Sequence, residues 1–197
     1  MTKPTIVTWQ GTSRPSLESV RLLVSDGRLR ASGRLVVAAG PAGPFPSEQA
    51  YSASFEFTVA RTGNVGRGLL RTTTAESEQQ VSVGRTEDGM WLIDHGKGAE
   101  RNEFDGAIDV DVAGALTFSS LPIRRLGLHR EAGEHELPVI YISMPDLSVS
   151  LLRQTYRTVS INDDGAVINY TDWNRTADIT VDREGVPIDY PGIATRV

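Results

Sequence analysis

Apolar and polar residues alternate along most of this chain, and short turn sequences separate the alternating runs. The clearest run is YSASFEFTV at residues 51–59, in which every second residue is aromatic or aliphatic. Alternation with a period of two places the apolar side chains on one face of a β-strand. The pattern therefore predicts a mainly β protein whose strands each bury one face.

The turn sequences between the runs are of the kind that closes β-hairpins. Asp26-Gly27 separates two alternating runs at residues 17–25 and 28–37, and Asp88-Gly89, Asp164-Gly165 and Glu184-Gly185 occupy similar places later in the chain. Asp-Gly between alternating runs is a strong hairpin signal. We therefore expect an antiparallel sheet of many strands that curls or closes on itself.

One segment has the features of a helix. Ser120 could cap its start, Pro122 suits a first helical turn, and Gly127 suits a C-terminal stop. The segment is short, so packing against the rest of the protein must stabilise it. A single apolar helix among many strands predicts a sheet wrapped around that helix.

The length of 197 residues is compatible with one domain covering residues 1–197. Residues 40–46, GPAGPFP, could link two domains. The hairpin that precedes them is too small to be stable alone, so we interpret them as a loop between strands.

Composition narrows the function classes. The chain has no cysteine and a net charge of −5, which excludes disulfides and thiolate metal sites and argues against nucleic acid as a partner. We interpret the arginines near residues 61–71 as solvated surface. No apolar stretch is long enough to span a bilayer, and the first residues lack the apolar core of a secretory signal. We expect a cytoplasmic protein without an integral membrane segment, cofactor or metal.

Asp109 and Asp111 lie two residues apart on a predicted strand, so their carboxylates share one face. They could form an ion-pair lock with Arg124 and Arg125, lie on a solvated face, or act as an acid/base pair on a glycosidic bond or as cation ligands. The ion-pair lock is the interpretation that we favour. The three histidines show no ligand spacing, and we expect them in exposed loops.

Tyrosines are concentrated in the C-terminal half, at residues 141, 156, 170 and 190. A tyrosine that lines a cavity offers an apolar ring and a hydroxyl group. That combination suits an amphiphilic ligand with a sugar head group. The tryptophans, by contrast, are expected mostly in the core.

Three stretches resemble a bacterial glycolipid-binding family described as a domain of unknown function. They are DGAIDVDVAGALTFSSLPIRRLGL at residues 105–128, YISMPDLSVSLLRQTY at 141–156 and DITVDREGVPIDYPGIATR at 178–196. The resemblance implies a spiral β-roll, in which one long antiparallel sheet coils around a single short α-helix. It also implies a homodimer and a lipid or glycolipid ligand.

Together, the resemblance and the tyrosine pattern select nine candidate ligand-binding residues. They are Asp109, Asp111, Arg124, Arg125, Tyr141, Gln154, Tyr156, Asp189 and Tyr190. We expect one of the two arginines to be structural and the other to contact ligand.

The function hypothesis is a non-catalytic protein that encloses an amphiphile in the cavity of the roll. One alternative is a carbohydrate or ester hydrolase that uses Asp109, Asp111 or Asp189 as acid and base. The other is a dimeric interaction protein without a small ligand.

Overall fold

The computed structural model describes residues 3–25, 28–41, 48–60 and 65–197. Fifteen β-strands, one α-helix (α1, Leu116–Leu126) and a single 3-10 turn at Phe104–Gly106 lie within these residues. The strands are β1 Lys3–Gly11, β2 Ser16–Ser25, β3 Arg28–Val37, β4 Tyr51–Val59, β5 Val65–Thr73, β6 Glu78–Arg85, β7 Trp91–Asp94, β8 Glu100–Asn102, β9 Asp109–Val112, β10 Glu134–Ile142, β11 Val149–Asn162, β12 Gly165–Thr171, β13 Thr176–Asp182, β14 Pro187–Tyr190 and β15 Ala194–Arg196.

All of these strands belong to one sheet, in the order β8 to β1 and then β15 to β9. Two meanders are thus joined where β1 pairs with β15, with Trp9 opposite Arg196. Neighbouring strands are antiparallel except β9 and β10, which are parallel because α1 forms the crossover between them. The sheet leaves β8 and β9 as free edges. The predicted fold class, a mainly antiparallel β protein with one short helix, is confirmed.

The alternation seen in the sequence determines which face of each strand is buried. In β3 and β4 every second residue is buried and the intervening residues are mostly exposed. The inward set includes Trp9, Phe55 and Trp91, all of them almost fully buried. Burial of large aromatic side chains of this kind is the main contribution to the stability of the sheet.

Three of the predicted hairpin turns join consecutive strands as expected, and Gly89 and Gly185 in two of them adopt positive φ angles of 88° and 74°. The Asp26-Gly27 turn lies outside the described residues. So do residues 42–47 of the Pro/Gly-rich loop.

Ser120 was predicted as the N-cap of the helix, but the N-cap is Ala115, five residues earlier, so that prediction was wrong. The first backbone N–H groups of the helix are bound by the side chain of Glu18, which is buried on β2. The Leu116 N–H donates to Oε2 at 2.6 Å and the Thr117 N–H to Oε1 at 3.2 Å. The Glu18 side chain on β2 therefore takes the place of an N-cap residue. Its attraction to the positive end of the helix dipole adds to the stabilisation.

The end of the helix agrees with the prediction, because Gly127 terminates it in the left-handed conformation at φ 71°. Pro122 lies inside the helix rather than in its first turn. The helix packs on the inner face of the sheet, where the ring of Phe118 is 4.7 Å from that of Phe57 and 5.2 Å from that of Phe55, measured between centroids. The sheet therefore coils around the helix as expected.

Candidate functional site

A cleft of about 410 Å³ opens to solvent beside the start of the helix. Strands β9 to β12 and β14, the turn after β12 and residues 112–116 before and within α1 form its walls. Its volume is within the range of small-molecule sites in proteins. Apolar groups, including Leu116, Leu152 and Ile193, line one part of it. Aromatic and polar side chains line the rest.

Aromatic side chains from several elements meet in this cleft. Tyr141, Tyr170, Trp173 and Tyr190 all contribute to the lining. The rings of Tyr170 and Tyr190 pack edge to face at 5.8 Å, and Tyr156 supports Tyr170 from within the core at 5.3 Å. Cross-strand register explains the support, since Tyr156 on β11 lies directly opposite Tyr170 on β12. The rings are therefore held rigidly.

A hydrogen-bond network centred on Gln154 connects the polar groups of the cleft. The Gln154 Nε2 group donates to Asp111 Oδ2 at 2.6 Å and to the Tyr170 hydroxyl at 3.1 Å. The Tyr156 hydroxyl donates to Gln154 Oε1 at 3.0 Å, and the Tyr170 hydroxyl donates to Asp172 Oδ2 at 2.8 Å. A network whose members all have partners positions its acceptors in advance of binding.

Asp111 is one of two carboxylates that line the cleft, the other being Asp172. Burial raises its pKa to about 6, and nearby Asp172 adds to the rise, while the hydrogen bond from Gln154 opposes it. Burial and the charge of Asp111 likewise raise the pKa of Tyr141 to about 12. Asp111 Oδ1 accepts the Val112 N–H at 2.8 Å. Each carboxylate oxygen keeps lone pairs for a further donor, such as a sugar hydroxyl.

The turn between β12 and β13 adds residues that the sequence analysis did not select. Asp172 Oδ1 accepts the backbone N–H groups of Asn174 and Arg175 at 2.9 and 2.8 Å, which shapes the turn. This geometry presents Trp173 at the cleft with 81% of the residue exposed. Arg175 lies over the Tyr190 ring, 5.8 Å from its centroid. The sequence did contain one signal for this part of the site, namely a tryptophan among the polar residues of a turn.

The expectation that the tryptophans belong mostly to the core holds for Trp9 and Trp91, which have no exposed surface, and fails for Trp173. Exposing an indole costs free energy unless another molecule covers it. Trp173 is therefore accessible to a molecule that enters the cleft.

Asp109, Arg125, Arg124 and Asp189 do not line the cleft. Asp109 is fully buried and accepts three hydrogen bonds from Arg125. The Nε group donates to Oδ1 at 3.3 Å and to Oδ2 at 3.1 Å, and a terminal nitrogen donates to Oδ2 at 2.6 Å. Burial raises the Asp109 pKa, and the Arg125 guanidinium opposes that rise. Asp109 and Arg125 therefore form the predicted ion-pair lock, and Arg124 takes no part in it.

Arg124 instead donates to the backbone carbonyl of Glu184 in the turn between β13 and β14. It therefore fastens the helix to that turn. Neither of the two arginines is placed to contact a ligand in the cleft.

His129 corrects the expectation that the histidines lie in exposed loops. Only 5% of it is exposed, and neither ring nitrogen has a hydrogen-bond partner among the described residues. Burial lowers its pKa, with Arg130 contributing. His95 and His135 are exposed as predicted, but His135 lies on strand β10 and not in a loop. In the described residues no three potential metal ligands come together.

Residues 6–196 match the model of the family described as "Putative glycolipid-binding". This chain belongs to that family. The resemblance noted from the sequence is thereby confirmed. No curated protein matches the chain significantly.

Two solved structures share the fold. A DUF1089 family protein from Pseudomonas aeruginosa has a TM-score of 0.72 and 23% identity, with 96% of this chain and 95% of that chain covered. A β-barrel-like protein of domain DUF1849 from Brucella abortus has a TM-score of 0.57 and 9% identity, with 100% and 95% covered. In the described residues no helix is long and apolar enough to cross a bilayer.

Proposed function

We propose that this member of the glycolipid-binding family binds the sugar head group of a glycolipid in the cleft beside the helix. The observation that carries the proposal is the meeting of four aromatic side chains with the preorganised Asp111–Gln154 network in one cleft. Sugar rings offer apolar C–H faces to aromatic rings and hydroxyl groups to carboxylates. Both kinds of partner are present within this cleft.

The apolar part of the cleft suits the first segment of the lipid chain. Val112, Ala115, Leu116 and Ile193 line it. Large side chains such as Phe118 and Phe55 already fill the space between the helix and β4. We therefore assign the ligand to the open cleft.

The positions of the carboxylates do not favour the hydrolase alternative. It needs two of Asp109, Asp111 and Asp189 in one cleft as acid and base. Asp111 lines the cleft, whereas Asp109 is paired with Arg125 and Asp189 lies on β14 outside the lining. Asp172, also in the cleft, already accepts two backbone N–H groups and the Tyr170 hydroxyl. Binding without catalysis requires no acid/base pair.

The test is a titration of the protein with alkyl glycosides below their critical micelle concentration. Isothermal calorimetry and intrinsic tryptophan fluorescence measure the binding. Trp173 dominates any fluorescence change, because the other two tryptophans have no exposed surface. We expect saturable binding of an alkyl glycoside, weaker binding of the free sugar, and little binding of the same alkyl chain with a zwitterionic head.

Trp173→Ala should abolish most of the calorimetric signal with little effect on folding stability, since the side chain is mostly exposed. Val159→Ala removes another exposed apolar side chain, which lies on β11, and should leave binding unchanged. If the glycoside and the zwitterionic compound bind alike, or if both variants behave alike, the assignment of a sugar site to this cleft is wrong.

A further inference from the structure

The outer face of strands β2–β5 is positively charged in a chain whose net charge is −5. Residues 1–73 contain nine Lys and Arg against four Asp and Glu, whereas the remaining residues contain eleven against twenty-one. The net charge of the whole chain therefore conceals a basic N-terminal portion. Strand alternation decides where those basic side chains point.

The outward positions of β2–β5 carry six arginines and one carboxylate, Glu56. The arginines are Arg21, Arg28, Arg30, Arg34, Arg67 and Arg71. Glu56 Oε2 lies 3.7 Å from Arg30. The other five arginines have no ion pair or side-chain hydrogen bond with any residue that the structure describes. The face is therefore charged and largely unneutralised.

Small residues separate three of these arginines and create a groove between them. Arg34 on β3 is opposite Ser54 on β4, which is opposite Arg71 on β5. Alternate strands are about 10 Å apart, so these two guanidinium groups stand on either side of the serine. With Arg21 they flank a groove of about 390 Å³. Like charges arranged around a groove repel one another until an anion lies between them.

Apolar side chains are exposed on the same side of the sheet, two of them on β2 and β3 and one on the neighbouring strand β1. Ile6, Leu17 and Val36 are 71%, 48% and 56% exposed. Leu17 lies opposite Val36, and Ile6 lies opposite Arg21. Mixed arginine and aliphatic side chains match the interface of a bilayer, where anionic head groups lie above apolar chains.

A nucleic acid would fit this face less well. Proteins that bind single strands without sequence preference stack bases on aromatic side chains. The aromatic residues of β1–β5, namely Trp9, Tyr51, Phe55 and Phe57, are all buried on the inner face.

We propose that the outer face of β2–β5 docks on bilayers that contain anionic lipids. The five unpaired arginines supply the attraction, and Ile6, Leu17 and Val36 contact the interface. This docking surface is on the opposite side of the sheet from the core, and it does not depend on the sugar site. Each arginine near an anionic surface strengthens binding by about fivefold.

The test is sedimentation of the full chain with vesicles of phosphatidylcholine alone and with vesicles that also contain phosphatidylglycerol, at low and high salt. The variant is Arg34→Gln with Arg71→Gln. Its matched control is Arg157→Gln with Arg183→Gln, which removes two exposed arginines from the acidic portion and changes the net charge equally. Circular dichroism verifies that both variants fold.

We expect the wild-type chain to bind the phosphatidylglycerol vesicles at low salt, and high salt to release it. The Arg34/Arg71 variant should bind roughly 30-fold more weakly, while the control pair should bind as the wild type does. Failure to bind, equal binding to both vesicle types, or equal loss in both variants would overturn the proposal.

Two other outcomes would also overturn it, because they would identify a different occupant. One is tighter binding of a single-stranded oligonucleotide that displaces the vesicles. The other is salt-sensitive self-association lost in the same variant, which would make an acidic surface of a second copy the partner. A chain that binds anionic vesicles but fails the glycoside titration would retain the docking surface and lose the sugar site.

Discussion

Asp109→Ala removes the carboxylate that holds Arg125 to the sheet. Asp109 has no exposed surface and accepts three hydrogen bonds from Arg125, whose side chain is 18% exposed. Breaking a buried ion pair by removing one partner costs about 3–5 kcal/mol. Because Arg125 can regain some water, we expect the lower end, a loss of about 3 kcal/mol in the free energy of unfolding. For a chain of this length the melting temperature should fall by about 6–12 °C.

Urea denaturation followed by tryptophan fluorescence, together with scanning calorimetry, measures this loss. Glu56→Ala is the matched control, because it breaks the exposed Arg30–Glu56 pair, whose side chains are 64% and 63% exposed. Exposed pairs contribute below about 1 kcal/mol. The double variant Asp109→Leu with Arg125→Met should recover most of the stability, since neither charge is then left alone. An Asp109→Ala variant no less stable than Glu56→Ala would refute the lock.

Two further predictions concern pH and have opposite signs. Burial raises the pKa of Glu18 from 4.5 to about 7, so its contribution to stability is full below pH 4.5 and is lost as the pH rises through 7. At about 1.4 kcal/mol per unit this amounts to on the order of 3 kcal/mol, and Glu18→Gln should flatten that part of the stability profile. The raised pKa of Asp111 changes stability with pH in the same direction, so some slope should persist in Glu18→Gln. A Glu18→Gln profile equal to that of the wild type would contradict the titration of a buried Glu18. Burial lowers the pKa of His129, with Arg130 and Arg124 adding to the effect and Glu184 opposing it, so stability should be full above pH 6.5 and fall as the pH decreases. His129→Leu should remove this loss of stability, which is at most about 1.4 kcal/mol per pH unit for one proton. Denaturation at several pH values measures it, with the exposed His95→Leu as the control. Equal pH profiles for the two variants would contradict the prediction.

The strands could be predicted from the sequence because the information that specifies them is local. Residues 51–59 alternate within nine residues, and β4 has the same bounds. The Asp-Gly pairs likewise act within a few residues of the strands that they join. The start of the helix could not be predicted in this way. Glu18, which binds its first N–H groups, is 98 residues away from Leu116 in the sequence.

The candidate site was predicted only in part for the same reason. Asp111, Tyr141 and Tyr190 were selected and do line the cleft. Gln154 and Tyr156 were also selected, and Gln154 connects Asp111 to Tyr156 in the core. Trp173 was missed because burial is the usual state of a tryptophan, and a sequence does not reveal which side chain a turn will hold outward. The choice between Arg124 and Arg125 depended on which of them reaches Asp109, a matter of helix orientation.

The basic outer face escaped notice because net charge is a sum over all residues. Arg34 and Arg71 are far apart in the sequence and become neighbours of Ser54 only through strand register. Register between three strands follows from the completed sheet. A charge pattern of this kind is visible only when the outward positions of neighbouring strands are aligned.

The joint between β1 and β15 has a consequence for the order in which the protein folds. Hairpins within each meander connect residues close in sequence and can form early. Pairing Trp9 with Arg196 closes almost the whole chain into a loop, which carries a large entropic cost and becomes possible only after the last strand has been synthesised. We therefore expect the two meanders to form as separate units during translation, with the sheet becoming continuous in the final step.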